Sequence, residues 1–177
     1  MRVELFHGDI TTLEVDAIVN AANRELVGGG GVDGAIWQAA GHDDMMRACN
    51  PLGGCEVGHA KSTPGFNLPA RWVIHTVGPV WVGGGHMRRE HEWRHGLVED
   101  LANCYRSSLA EAVRLGARSI AFPAISTGVF RFPADRAAQV AVRELRESTA
   151  DLDVAILVAY DTKTLALYNR ELSYVAA

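Results

Sequence analysis

A carboxylate stands two residues beyond a glycine run. Gly28, Gly29, Gly30 and Gly31 are followed by Val32 and Asp33, and Asn20 and Asn23 stand shortly before them. Consecutive glycines accept left-handed dihedrals and let backbone N–H groups approach a ligand with no Cβ in the way. Where such amides lead into a helix N-terminus they make an anion site, the logic of a phosphate-binding loop. A glycine run alone also suits a flexible connector. Asp33 argues against that reading, because a carboxylate just past an anion cradle implies chemistry beside the bound anion.

Two further clusters have the residue types for metal chemistry. His91-Glu92-Trp93-Arg94-His95 has H-E-x-x-H spacing, which places two histidines one helical turn apart and offers a zinc hydrolase as an alternative function. Its setting is unfavourable: Arg88, Arg89 and Arg94 make the face cationic, and no third ligand follows at a recognisable spacing. The expectation is a solvated helix start. Cys49, Cys55 and His59 fit no standard zinc framework and read as packing. Three cysteines, an odd number, argue against a disulfide framework and for a reducing cytoplasm.

The elements that position these groups follow from hydrophobic periodicity. Val3 and Leu5 belong to a first strand ending at Gly8-Asp9-Ile10-Thr11, where Asp9 suits a turn cap through Thr11-Thr12. Val15 to Val19 is a buried strand before the glycine loop. Ala35, Ile36, Ala39 and Ala40 recur at helical spacing, and Gly41 suits a stop. A polar helix spans His42 to Cys49 and breaks at Pro51-Leu52-Gly53-Gly54. Arg71 to Val77 is a strand, with His75 inside it as a buried, hydrogen-bonded residue and Gly78-Pro79 as its stop. Gly83-Gly84-Gly85 turns into a long helix with Leu97, Leu101, Tyr105, Leu109 and Val113 on one face, ended by Gly116. Ser119 to Pro123 is a strand, Ala124 to Phe130 its following loop, and Pro133 restarts a helix through Ala137, Ala138, Ala141, Val142 and Leu145. Val154 to Val158 is the last strand, before Ala159-Tyr160-Asp161-Thr162 and a helix through Leu165, Leu167 and Leu172.

Strands alternating with helices make an α/β layered sheet, in which ligands collect at the carboxyl ends of strands. Asp9, the stretch from Asn20 to Asp33, Ser126 to Phe130 and Tyr160 each follow a strand. With 177 residues, 48% hydrophobic and 21% charged, the chain suits one globular domain spanning 1–177. A net charge of −4 gives no support for general nucleic-acid binding through a basic surface. No apolar run reaches membrane-spanning length, and the start reads as a strand with no signal peptide, so a cytoplasmic location is expected.

The ordered set of loops resembles the macrodomain family, of the MacroD type. Gly8-Asp9-Ile10-Thr11, Asn20-Ala21-Ala22-Asn23, Gly28 to Gly34, Ile74-His75-Thr76-Val77-Gly78-Pro79 and Phe122 to Phe130 carry the resemblance, which covers nearly the whole chain. It implies a three-layer α/β/α fold with a mixed central sheet that binds ADP-ribose and hydrolyses ADP-ribose conjugates, including ADP-ribosylated macromolecules, with no cofactor or metal. Asp9 would accept a hydrogen bond from the adenine amino group, beside the Ile10 backbone. Asn23 would hold the distal ribose, and Gly31, Val32 and Asp33 would line the diphosphate and that ribose. Ser126, Thr127, Gly128, Val129 and Phe130 would wrap the diphosphate from the other side, with Phe130 against the distal sugar. Tyr160 would stack on adenine.

On that resemblance Asp33 and Asn23 are the catalytic candidates. Asp33 would orient or deprotonate a water for attack on the anomeric carbon or on an ester of the distal ribose. Asn23 offers the sugar hydroxyls both a donor and an acceptor. Two positions depart from the family pattern. Trp37 stands where many members carry histidine, one turn beyond Asp33, and an indole has a donor but no acceptor. Arg131 stands where a small residue is usual, either covering the cleft, adding positive charge, or pointing to solvent. A non-catalytic ADP-ribose reader therefore stands as the main alternative, with Trp37 disabling the chemistry.

Overall fold

The computed structural model describes residues 1–81 and 90–174, with the backbone alone for residues 90–95. Six strands form one sheet: β1 (Arg2–His7), β2 (Ala17–Ala21), β3 (Ala60–Pro64), β4 (Trp72–Thr76), β5 (Ser119–Phe122) and β6 (Val154–Ala159). Their spatial order is β1-β6-β5-β2-β4-β3. Every neighbouring pair is parallel except β3 with β4, so the sheet is mixed, as expected. Among the described residues five α-helices complete the fold: α1 (Gly31–Ala40), α2 (His42–Cys49), α3 (Glu90–Arg114), α4 (Ala134–Glu147) and α5 (Thr162–Ser173).

The central strands are apolar on both faces because both are covered. In β2, Ala17 and Val19 enter one core with Leu101, Tyr105, Ala141 and Tyr168 of α3, α4 and α5. Ile18 enters the other, with Ile36, Trp37 and Met45 of α1 and α2. Strand periodicity then dictates where the polar residues go: Asn20 shares the face of Ile18, and His75 that of Val73. Both point toward the α1–α2 layer, where a polar side chain survives only with partners.

Two differences from the sequence expectation bear on the site. β2 runs to Ala21, so Asn20 is a strand residue and not part of the loop. β3 is an additional edge strand whose Ala-Lys-Ser-Thr-Pro composition lacks apolar alternation; Lys61 and Pro64 are residues that suit an edge. The backbone of the H-E-x-x-H segment falls in α3, while its side chains and the Gly83-Gly84-Gly85 turn lie outside the described residues. No helix among the described residues is long and apolar enough to cross a membrane.

Candidate active site

The glycine loop is held in shape from below by Asn23. Its Nδ2 donates to the Gly28 carbonyl at 2.7 Å, and its Oδ1 accepts from the Val27 N–H at 3.1 Å. The chain then turns closely enough that glycine is obligatory at two places. Gly28 has φ +78°, and a Cβ there would meet the Trp37 ring at 3.0 Å; a Cβ on Gly34 would lie 2.5 Å from the Gly29 carbonyl oxygen. α1 starts at Gly31 behind Gly30, which supplies no side-chain cap. The first-turn amides are thus presented without the usual oxygen acceptor, at the positive end of the helix dipole.

Asp33 is in that first turn and only 6% exposed. Its Oδ1 accepts from Asn20 Nδ2 at 2.7 Å. Burial raises its pKa above the usual carboxylate value, opposed by hydrogen bonds from Asn20 and from the Trp37 indole. The other oxygen, Oδ2, faces the loop: a Cβ built at Gly29 would lie 3.0 Å from it and 3.7 Å from Asn23 Nδ2. Asn23 and Asp33 therefore converge on Gly29. A carboxylate whose pKa is raised by burial is a stronger base than a solvated one.

Beside the loop runs a cleft of about 370 Å³ at the carboxyl ends of β1, β2, β5 and β6. Asp9, Ile10, Gly31, Val32, Thr127, Gly128 and Tyr160 line it, together with Ala35, Pro123, Ala124, Val158, Asp161 and Thr164. Asp9 caps the turn at Ile10–Thr12, accepting from the Thr11 N–H and hydroxyl at 2.9 and 2.7 Å. Both bonds fall on Oδ1, which leaves Oδ2 for a ligand donor. Tyr160, 81% exposed, follows β6 on the same side, since Ala159 is the register partner of His7 and accepts from the Gly8 N–H at 3.0 Å. Asp161, next to Tyr160, caps α5 through the Thr164 N–H.

Five of the residues expected at the site do not line this cleft: Asn23, Asp33, Ser126, Val129 and Phe130. Asn23 and Asp33 sit behind the glycine loop, as above. Ser126 has φ +66° and is buried, Val129 is 89% exposed, and Phe130 accepts from the Trp81 N–H through its carbonyl at 2.7 Å. The bonds that shape their loop are donated by Thr127, Arg131 and Phe132. Among the described residues none uses the N–H of Gly128, Val129 or Phe130.

Trp37 is 2% exposed, packed under Gly28 and against His42 at 5.2 Å between ring centroids. It packs as a wall under the glycine loop and donates to Asp33. Arg131 is exposed, with φ +57°, and does not line the cleft. Cys49 and Cys55 turn to different partners, Cys49 Sγ to His75 Nε2 at 3.9 Å and Cys55 Sγ to the Glu56 carbonyl at 3.6 Å. Among the described residues no group of three or more His, Cys, Asp or Glu could hold a metal ion.

Asn20 and His75 are the site residues to which sequence reasoning assigned no part in the chemistry. The available signal was position: each is polar in a strand whose neighbours on the same face are core residues, and such a group must be paired.

Comparison with known proteins identifies the family. The macro domain family profile matches residues 19–141, the stretch from β2 through the glycine loop to α4. A macro domain-containing protein of Ralstonia nicotianae is 54% identical over 173 residues, covering 98% of this chain and 95% of its own. Human ADP-ribose glycohydrolase MACROD2 is 46% identical over 176 residues, which cover 97% of this chain and 39% of that larger protein. Among solved structures, the Oceanobacillus iheyensis macrodomain with ADP superposes with a TM-score of 0.87 at 36% identity, covering 97% of this chain and 90% of that one. The Trypanosoma brucei macrodomain in complex with ADP-ribose gives 0.83 at 37% identity, covering 97% and 69%. With the profile matching residues 19–141 and relatives and fold agreeing over nearly its full length, this chain belongs to the macrodomain family.

Proposed function

We propose that this protein binds ADP-ribose in the cleft and hydrolyses conjugates at the distal ribose, and that residues 1–177 form a single macrodomain. One observation carries the reading: Asp33 Oδ2 and Asn23 Nδ2 converge at Gly29, next to uncapped helix amides. The amides of α1 and of the Ser126–Phe130 loop hold the diphosphate from two sides. Asp9 reads the adenine amino group beside Ile10, Tyr160 stacks on the base, and Phe130 packs against the distal sugar. Asn23 fixes the ribose hydroxyls with the donor and acceptor capacity that its loop bonds leave over.

Asp33 orients a water and takes its proton. The water oxygen bonds to the anomeric carbon, or to the carbonyl carbon of an ester on the ribose, as the bond to the leaving group breaks. No step calls for a metal. Mono-ADP-ribosylated protein, ADP-ribosylated nucleic acid and O-acetyl-ADP-ribose share the half of the substrate that the cleft reads. Deacetylation of the last is the same attack at an ester. A cytoplasmic setting suits the three unpaired thiols, Cys49, Cys55 and Cys104.

The deciding experiment is incubation of the pure protein with mono-ADP-ribosylated protein, scoring free ADP-ribose. Release by the wild-type protein, unchanged after chelation, is expected; loss on removal of stoichiometric zinc would move the chemistry to the H-E-x-x-H segment. A second reading, the non-catalytic reader, draws on the burial of Asp33 and on Trp37 as a wall. It requires tight ADP-ribose binding with no release at all.

A further inference from the structure

We infer that His75 is a positioning residue for the reaction at Asp33: its Nδ1 locks the Asn20 carboxamide that holds the carboxylate in place. The inference rests on the hydrolase reading above.

Asn20 and His75 are register partners across the parallel pair β2–β4, and both are 0% exposed. Asn20 Nδ2 is 2.7 Å from Asp33 Oδ1 and 3.1 Å from His75 Nδ1. A carboxylate has only lone pairs to offer, so the amide must turn its NH₂ toward Asp33. The second hydrogen of that nitrogen meets Nδ1, which must then be the unprotonated ring nitrogen. The ring proton sits on Nε2 and is donated to Thr63 Oγ1 at 2.9 Å. The Thr63 hydroxyl passes its own hydrogen to Met45 Sδ at 3.4 Å. The donations diverge from the Asn20 amide: one hydrogen goes to the Asp33 carboxylate, and the other starts a chain through His75 and Thr63 that ends at Met45 of α2. Full burial supports the same state, pushing the imidazole pKa down to about 4 and keeping the ring neutral.

The other end of the amide explains why Nδ1 matters. Asn20 Oδ1 is buried with no hydrogen-bond partner. A buried carbonyl left unpaired favours any rotation that would satisfy it. Rotation is opposed because it would set Oδ1 against the Asp33 carboxylate and against the Nδ1 lone pair together. Without an acceptor at Nδ1, only Asp33 opposes it, and the carboxylate loses its fixed aim at Gly29. Positioning of this kind acts on the rate with little effect on ground-state binding.

Two substitutions separate this role from packing. In His75→Asn the side-chain oxygen stands where Nδ1 stood, which keeps the acceptor facing Asn20. In His75→Gln the terminal amide reaches toward Thr63 and leaves no acceptor at the Nδ1 position. Single-turnover release should fall at least about tenfold in His75→Gln, with ADP-ribose affinity unchanged, and less than about threefold in His75→Asn. Equal losses in the two, or losses that track thermal stability and not the acceptor, would overturn the inference.

A wild-type measurement decides the case where neither variant folds. Nitrogen-15 shifts of the ring should show Nδ1 unprotonated and Nε2 protonated at neutral pH; a protonated Nδ1 would overturn it. A wild-type protein that releases no ADP-ribose overturns the hydrolase reading instead, a result visible in the same assay.

Discussion

The two ends of the site are built on opposite plans. At the glycine-loop end Asn20, Asp33, Trp37 and His75 are each 6% exposed or less and bonded to one another. At the end proposed for adenine Asp9 and Tyr160 are exposed, and the bonds that hold Asp9 come from its own turn. An interlocked, buried group holds its geometry before any ligand arrives, at the expense of stability. An exposed platform gains energy only when a base covers it. On the proposed reading the first plan serves rate and the second affinity, so substitutions at the two ends should move different observables.

The largest effect is expected at Asp33. Asp33→Asn keeps the hydrogen bond from Asn20 but removes the base, so release should fall by about 10²–10⁴ while ADP-ribose affinity holds. The same substitution should stabilise the fold at neutral pH. Burial raises the Asp33 pKa in the folded state, so the charged form is penalised there more than in the unfolded chain. The advantage of Asn should shrink as pH falls through that raised pKa and the wild-type group becomes neutral. Thermal melts of both proteins against pH check the sign; an advantage growing toward acid would contradict the burial argument.

At the other end, Tyr160→Ala should weaken ADP-ribose binding by about fivefold to a hundredfold, from a stacking energy of roughly 1–3 kcal/mol. Release at saturation should hold. Titration calorimetry beside a saturated rate assay makes the comparison, and equal affinity would place adenine elsewhere.

Trp37 tests the boundary between the plans. As a wall and a donor to Asp33 it is replaceable in chemistry but not in packing. Trp37→His should change the release rate by less than about tenfold, near 1.4 kcal/mol of barrier. It should cost more in stability, on the order of 2–4 kcal/mol, by opening a void under Gly28. A silent wild-type protein beside an active Trp37→His variant would leave the reader as the surviving function.

His75 adds a pH limit to the fold. It is neutral when folded down to about pH 4 but protonates near 6.5 when unfolded. The stability it contributes is fully present above 6.5 and is lost as pH falls toward 4, by up to about 3 kcal/mol. Chemical denaturation of His75→Asn should show a flatter profile over that window.

How far the site could be read from sequence depended on the distance over which its parts are organised. The glycine loop, the α1 start and Asp33 are contiguous, and their types declare them. The strands β1, β4, β5 and β6 announce themselves through apolar runs that end in Gly, Pro or Asp. β3 does not, because this edge strand buries fully only Thr63. Asn20 lay in plain view beside Asn23, yet its role depends on a register partner 55 residues away. Register is set by how two strands pair, and no local pattern encodes it. Asp9 shows the converse: the turn cap and the outward-facing oxygen belong to one residue, and each reading uses a different atom.

The composition of the cleft wall has a consequence for ionic strength. Among the described residues its lining contains no lysine or arginine and does contain Asp9 and Asp161. Polyanions that bind through cations release condensed counterions, and their affinity collapses as salt rises. A diphosphate seated on backbone amides releases none. Its affinity should stay nearly level between low and physiological salt, and screening of the two carboxylates should raise it slightly. Such a cleft can pick out one small anion in the presence of a large excess of nucleic acid, because it offers a phosphate chain nothing that salt can trade against.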